Sequence, residues 1–270
     1  MMDYCGRDAR GHQRGVSLAC IAALTLAVFP AAGQQADSYN HPAADPSHDL
    51  TTKEFFKDVG GNFVGIFNVH NLGAFAGGAA AYGLSTIPEQ DLEKHFARPD
   101  MWGVWGNPGR YIGNPIILFG AGGAMFAVSR KSDDRKFRSF TYALIQGSFV
   151  SAGVVQANKF AWQRLRPSGD DHFAFPSGHA TDSFMVATIA ADHYGWKAAI
   201  PGYALAAYVA ATRMEERKHH LTDVVAGATI GYVIGKTITR RMRAAGKSKV
   251  TWNVYPSGKG AVGMVAWQLP

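Results

Sequence analysis

Apolar positions recur at helical spacing through most of this chain. The helical pattern begins at Glu54 and is clearest over Phe137–Phe160 and Val224–Ile238. The last segment, residues 246–270, instead alternates apolar and polar positions around a Pro-Ser-Gly-Lys-Gly turn, which is typical of a β-hairpin. The pattern therefore predicts an all-α fold, an antiparallel helical bundle followed by a short C-terminal β-hairpin.

Two weakly charged stretches leave a membrane-spanning alternative open. Asn62–Gly83 carries no charged residue but is interrupted by polar residues and glycines, and Tyr111–Val128 is an apolar run between two arginines. The mean hydropathy of −0.08 is low for a chain with several spans. Glycines at every fourth position of Val224–Ile238 suit either a close helix crossing inside a bundle or a dimer face in a bilayer. We favour internal packing in a soluble or peripheral bundle.

The N-terminus has the layout of a secretory signal peptide. Three arginines precede an apolar run over Val16–Phe29, and small residues follow up to Gly33, where we place cleavage. An uncleaved anchor is the alternative, but the run is shorter than the roughly 20 residues that a spanning helix needs. Both cysteines, Cys5 and Cys20, lie in this segment. We therefore expect an exported protein, periplasmic or membrane-associated.

Four segments follow from these patterns. Residues 1–33 are the signal peptide, residues 34–52 a polar, flexible leader, residues 53–245 the helical domain and residues 246–270 the hairpin tail. No internal repeat is evident.

The net charge favours an anionic ligand or a membrane surface. The full chain carries +7, and residues 1–33 contribute +1 of it, which leaves +6 after cleavage. Lys236–Lys249 holds six cations and no acid, which fits a solvated face or contact with anionic lipid headgroups. Nucleic acid is not an expected partner, because the cations do not alternate with aromatics as in a recognition module. The oligomeric state is not predicted.

The densest cluster of reactive side chains lies in the segment TRMEERKHHLTD, residues 212–223. His219 and Asp223 are four apart, so a helix would place the carboxylate against one ring nitrogen and leave the other free. Arg213 reaches the same site only if the chain breaks its helix in between, so we predict a turn over Met214–Lys218. An imidazole oriented by a carboxylate beside arginines suits attack on phosphorus. A satisfied His–Asp pair at a buried helix start is the alternative.

A pair of cations ends the long helix over Phe137–Phe160. Lys159 and Arg166 are seven residues apart, and on a continued helix they would share one face, where they repel unless an anion lies between them. A basic helix end that complements the dipole explains one cation better than two. Arg164, between them, is expected to face solvent.

A predicted helix start follows at Pro176. Ser177 is the expected N-cap, Gly178 allows close approach of the backbone, and His179 lies in the first turn, where free amides can hold an anion. Ordinary capping explains the same residues. His172 belongs to a polar loop and is expected to be exposed.

Together these three segments resemble the signature of the type 2 phosphatidic acid phosphatase and vanadium haloperoxidase superfamily. The order and every internal spacing match, over the sets Lys159 with Arg166-Pro167, Pro176-Ser177-Gly178-His179, and Arg213 with His219 and Asp223. The resemblance covers roughly residues 106–241. Thr212 departs from the serine that is common before the arginine, but it keeps the hydroxyl.

The resemblance implies a role for each matching residue. His219 is the nucleophile that forms a phosphohistidine, Asp223 orients its ring, and His179 is the acid and then the base. The phosphate oxygens are bound by a further set of residues: Lys159, Arg166, Arg213, Ser177 and Gly178. Fixed cations do the electrostatic work, so no metal and no cofactor are expected. His220 receives no chemical role.

The resemblance leaves the substrate open. The implied activity is hydrolysis of phosphate monoesters or diphosphates, on soluble or lipid-linked substrates such as phosphatidic acid or an isoprenyl diphosphate. A vanadate-dependent haloperoxidase is the alternative enzyme, since vanadate fits the same pocket as an inhibitor or as a prosthetic group. A phosphate-binding relative without activity is the third possibility.

Overall fold

The computed structural model describes residues 50–97, 102–245, 249–257 and 260–268. The predicted signal peptide and nearly all of the predicted leader lie outside these ranges. The described helices are α1 (Thr52–Gly65), α2 (Leu72–Phe96), α3 (Asn107–Ile112), α4 (Pro115–Ser129), α5 (Arg135–Trp162), α6 (Gly178–Tyr194), α7 (Trp196–Glu215) and α8 (Leu221–Ala245), with 3-10 turns at Val69–Asn71 and Gly103–Trp105. The helices from Thr52 to Ala245 agree with the predicted all-α fold.

The helix starts follow from local capping. Thr51 forms a capping box with Glu54 at the start of α1, and Asp134 accepts from the backbone amides of Lys136 and Phe137 at the start of α5. Each cap satisfies amide groups that a helix start otherwise leaves unpaired. These caps fix where α1 and the long α5 begin.

The central helix of the fold is α6. It packs most extensively against α8 and α7, and also against α5, while α2 covers another part of α8. Phe184 of α6 belongs to one apolar cluster with residues of α2, α7 and α8, and Ile189 belongs to a second with residues of α1, α5 and α8. Both side chains are fully buried, and each contributes about 1.5–3 kcal/mol of hydrophobic stabilisation. Because α6 is surrounded, its first turn is held firmly in place.

The glycine stripe of α8 makes the close crossing onto α6. A Cβ added at Gly231 would lie 2.1 Å from the Thr181 carbonyl oxygen, and one at Gly227 would lie 2.6 Å from the Ser177 carbonyl oxygen. Only glycine leaves room for backbone at these distances. The stripe therefore serves internal packing, as the sequence predicted.

No single helix in the described part of the chain is long and apolar enough to cross a bilayer. One pair, Gly103–Ile112 with Pro115–Ser129, passes the length and composition test jointly but is bent by 51°. It includes the predicted apolar run over Tyr111–Val128.

Two C-terminal strands follow the helices. Strand β1 (Lys249–Ser257) pairs antiparallel with β2 (Gly260–Gln268), and Lys249 lies opposite Gln268.

Candidate active site

One cavity of 510 Å³ brings together most of the residues that the sequence singled out. Six of the eight line it: Lys159, Arg166, Gly178, His179, Arg213 and His219. The other two, Ser177 and Asp223, are buried but are not among the described residues that line it. The walls also contain apolar groups, from Pro115 of α4 and from Ala152 and Val155 of α5.

The two cations of the first segment reach the cavity from different backbone elements. Lys159 lies in the last turn of α5, which ends at Trp162, and Gln163 adopts the left-handed conformation with φ 43°. The prediction that Lys159 and Arg166 share a continued helix face is therefore wrong. The chain reverses at Gln163 and returns Arg166 to the cavity, where it forms an ion pair of 2.8 Å with Asp171.

The second segment forms the predicted helix start. Ser177 caps α6, and its side chain accepts from the Ala180 amide at 3.4 Å. The bond uses Ser177 Oγ as an acceptor, so it does not use the O–H donor that the resemblance assigns to phosphate. Gly178 and His179 occupy the first turn of α6, and both line the cavity. The Nε2 of His179 lies 3.3 Å from the Arg110 carbonyl oxygen, so Nε2–H donates to it and Nδ1 carries the lone pair.

His219 is positioned by the turn between α7 and α8. The helix α7 ends at Glu215, two residues into the predicted turn, and Arg217 has φ 54°. The Nδ1 of His219 lies 2.6 Å from the Ala174 carbonyl oxygen. A carbonyl only accepts, so Nδ1–H is the donor and Nε2 is left with its lone pair.

Asp223 does not orient the His219 ring as predicted. Helix α8 begins at Leu221, so His219 precedes the helix and the four-residue spacing does not stack the two side chains. The carboxylate of Asp223 instead accepts from the His220 amide at 2.8 Å and from Arg164 at 2.7 Å. Its carbonyl oxygen accepts from the Ser177 amide at 3.0 Å. Asp223 thus joins all three segments behind the cavity.

Arg164 is not the solvated cation that the sequence suggested. Its side chain is 30% exposed and bridges Asp223 and Glu89, with the Glu89 contact at 2.9 Å. Glu89, on α2, also accepts from the Thr222 amide at 2.8 Å. No local pattern in the sequence indicated this contact, because Glu89 lies 75 residues before Arg164.

The loop over residues 163–177 is held against the turn over residues 216–219. The Ser168 amide donates to the Arg217 carbonyl at 3.0 Å, and the Arg217 side chain donates to the Pro167 carbonyl at 2.7 Å. Lys218 forms an ion pair with Asp170. These contacts fix the Ala174 carbonyl relative to the ring that it orients.

Both histidines are neutral in the free site at neutral pH. Burial, together with Arg213 and two other nearby cations, lowers the pKa of His179 to about 4. Burial, with Lys159 and Arg166, holds the pKa of His219 well below its usual range. A neutral His219 is the form that can act as a nucleophile.

Sequence reasoning missed several residues of the cavity wall. Glu216 accepts from Arg213 at 2.8 Å and from Arg110 at 3.2 Å. The Nε of Arg213 is buried and has no acceptor among the described residues, which leaves one donor for a ligand. Asp182 and Ser151 also line the cavity. The one available signal was Asp182 itself, an acidic residue in a stretch of α6 that is otherwise without charged residues up to Asp192.

One side-chain cluster has the composition of a metal site. Ligand atoms of Glu89, Glu93 and His220 lie within 4.8 Å of one another. Glu89 already binds Arg164 and the Thr222 amide, and His220 binds both Glu93 and the Leu165 carbonyl. We therefore assign this cluster a structural role, and the metal-free mechanism stays a prediction.

The comparisons with known proteins point in one direction. Residues 138–247 match the model of the PAP2 superfamily. A lipid A 1-phosphatase of Porphyromonas gingivalis is 32% identical over 93 residues, which is 33% of this chain and 21% of that protein. A lipid A 4'-phosphatase of Helicobacter pylori is 28% identical over 124 residues, which is 42% of this chain and 60% of that protein.

The match thus spans about a fifth of the first relative and 60% of the second. No solved structure matches the chain at a comparable level of significance. The family match covers all three segments that line or support the cavity. These segments stand in the family's order and spacing, so residues 138–247 of this chain are similar to the PAP2 superfamily.

Proposed function

We propose that this protein is a phosphatase that releases phosphate from a lipid-linked phosphate monoester through a phosphohistidine at His219. The observation that carries the proposal is the bond from His219 Nδ1 to the Ala174 carbonyl. It leaves Nε2 as a lone pair on a ring that lines a cavity with three cationic side chains, Lys159, Arg166 and Arg213. A neutral imidazole among fixed cations suits attack on an anionic phosphorus centre.

In the first step, the Nε2 lone pair of His219 forms a bond to phosphorus while the bond to the ester oxygen breaks. Guanidinium and ammonium groups neutralise the charge on the phosphoryl oxygens. His179 donates a proton to the leaving oxygen and becomes neutral. In the second step, His179 takes a proton from water, the resulting hydroxide attacks phosphorus, and inorganic phosphate leaves as His219 regains its lone pair.

His179 must gain a proton before it can act as the acid. Its pKa of about 4 in the free site reflects burial and the neighbouring cations. A bound phosphate dianion counters the charge of those cations, and so it raises the pKa of His179. Binding of the substrate therefore favours the protonated form of His179, which is the form that can act as the acid.

Exposed apolar residues around the cavity support a lipid-linked substrate. Pro115 lines the cavity, and the next residue along α4, Ile116, is 82% exposed. On the other side, Phe160 and Trp162 flank the Lys159 turn and are 65% and 67% exposed. The two relatives are named for lipid A phosphate groups, so we include lipid A phosphates among the candidate substrates. We also propose export to the periplasm, based on the N-terminal pattern.

The test is phosphate release by the purified protein from lipid A, phosphatidic acid and a soluble aryl phosphate, with and without EDTA. The His219→Ala variant should lose turnover on every substrate. The His172→Ala variant, which removes an exposed histidine of the neighbouring loop, should keep it. Labelling with a phosphorus-labelled aryl phosphate, quenched with denaturant at alkaline pH, should give an adduct in the wild type that is stable in base and labile in acid. An adduct in the His219 variant would contradict the mechanism. So would a loss of phosphate release in EDTA that added Mg²⁺ restores.

A further inference from the structure

A buried acid in the cavity has no part in the proposed reaction. Asp182 lies on α6, one turn after His179, and lines the same cavity. Asp182 is 7% exposed. Ser151, fully buried on α5, donates its hydroxyl proton to Asp182 Oδ1. A carboxylate in a pocket for phosphate opposes the ligand, so its presence calls for an explanation.

The surroundings of Asp182 are cationic, but none of the cations pairs with it directly. Three cations line the cavity: Lys159 from α5, Arg166 from the following loop and Arg213 from the end of α7. The other charged residues of its lining are Arg110, Lys218 and the acidic Glu216. Lys159 acts on the carboxylate through space, and among the described residues Asp182 makes no ion pair. The Ser151 hydroxyl is its one hydrogen-bond donor in the described part of the chain.

We infer that Asp182 is the exchangeable counter-ion of the cavity, so that an oxyanion binds together with one proton taken up by this carboxyl. The inference rests on the proposed function. In the empty cavity the carboxylate balances part of the positive charge. When an oxyanion enters, the two negative charges repel, and Asp182 takes a proton from solvent. The neutral carboxyl can still accept from Ser151 through one oxygen while it carries the proton on the other.

The ionisation of Asp182 places this exchange near neutral pH. Burial raises the pKa of Asp182 to about 6, against the opposing effects of the Ser151 bond and Lys159. The carboxyl is therefore charged above this pH and neutral below it. In the empty cavity His179 and His219 titrate lower, because burial reduces the pKa of each, so both begin neutral in this range. Asp182 therefore needs a smaller rise in pKa than His179 to take up a proton at neutral pH, and it is the main site of proton uptake when an oxyanion binds.

Sulfate is a suitable probe, because it is a tetrahedral dianion that does not itself titrate near neutral pH. Its affinity should rise by up to about tenfold for each pH unit as pH falls from about 8 to about 6, since one proton is bound with it. Calorimetry at about pH 7 in two buffers of different ionisation enthalpy should report uptake of about one proton per sulfate.

Two variants isolate the carboxyl. Asp182→Asn keeps an acceptor for Ser151 and removes the charge, so sulfate affinity at about pH 8 should rise about tenfold or more and the proton uptake should lose most of its wild-type value. Ser151→Ala removes the bond that stabilises the carboxylate, so the pH dependence should move to higher pH. This second variant tests the inference even if Asp182→Asn fails to fold, which circular dichroism would show.

The outcomes separate this inference from the phosphatase itself. A wild-type sulfate affinity that does not change with pH, or proton uptake in Asp182→Asn that is as large as in the wild type, overturns the counter-ion role and leaves phosphate release unaffected. Absence of sulfate binding at both about pH 6 and about pH 8 overturns the proposal that the cavity binds oxyanions, and the counter-ion role with it.

Discussion

Replacing Asp223 by asparagine should destabilise the fold, because Asp223 joins three chain segments rather than holding the catalytic ring. Its side chain is fully buried and pairs with Arg164 at 2.7 Å. Removing one partner of a fully buried ion pair costs about 3–5 kcal/mol. Arg164 is 30% exposed, and solvent screens part of this loss. We therefore expect a loss of about 2–3 kcal/mol.

Thermal unfolding followed by circular dichroism measures this effect. For a domain of this size, each kcal/mol lowers Tm by about 2–4 °C, so Asp223→Asn should unfold about 4–12 °C below the wild type. Arg164→Met removes the other partner and should give a similar loss. The control is Asp170→Asn, which makes the same change in the exposed pair with Lys218 and should unfold near the wild-type temperature.

Activity should fall together with stability in both variants of the buried pair, since each loosens the loop that carries the Ala174 carbonyl. The contrary result is a variant Asp223→Asn that unfolds at the wild-type temperature and yet has lost turnover. It would mean that Asp223 acts on the His219 ring in solution and that the carbonyl contact is secondary.

Three further predictions concern packing, pH and location. Gly231→Ala places a Cβ 2.1 Å from the Thr181 carbonyl oxygen and should lower the free energy of unfolding by about 1–3 kcal/mol. The control Gly77→Ala, whose Cβ meets nothing within 4 Å, should stabilise the fold slightly. Equal melting temperatures for the two variants would contradict the close crossing. Burial lowers the pKa values of His179, His193 and His219, so the unfolded chain binds more protons below pH 6.5. The free energy of unfolding should then fall as pH drops from about 7 to about 5. Asp182, whose pKa is raised, acts in the opposite direction, but one carboxyl contributes less than three histidines. A Tm that rises over this pH range would refute the prediction. Expressed in a Gram-negative host, the processed protein should appear in the periplasmic fraction or be released from membranes by high salt, and extraction by detergent alone would show that the apolar stretches span a bilayer.

The convergence of six cavity residues was predicted through the resemblance of three segments to a known family, whose order and spacing they match. Prediction from the sequence failed where the backbone departs from an ideal helix. The left-handed conformation at Gln163 ends α5 early, so Arg164 turns inward to a buried carboxylate rather than outward to solvent. Helix α8 begins two residues after His219, and this offset breaks the expected contact with Asp223. Both conformations depend on contacts between distant segments, which spacing along one chain does not contain.

The orientation of His219 by a main-chain carbonyl has a consequence for mutational tolerance. A side-chain partner can be deleted by one codon change, but every amino acid at position 174 supplies the same carbonyl oxygen. Conservative replacements at Ala174 that fit its buried site should thus be silent for the choice of tautomer. Inactivating changes should instead concentrate among residues whose side chains set the path of the loop, such as Arg164, which pairs with the buried carboxylate of Asp223 at 2.7 Å. A saturation screen of this loop should show that the small residues that fit at position 174 keep activity, whereas every replacement of Arg164 loses it.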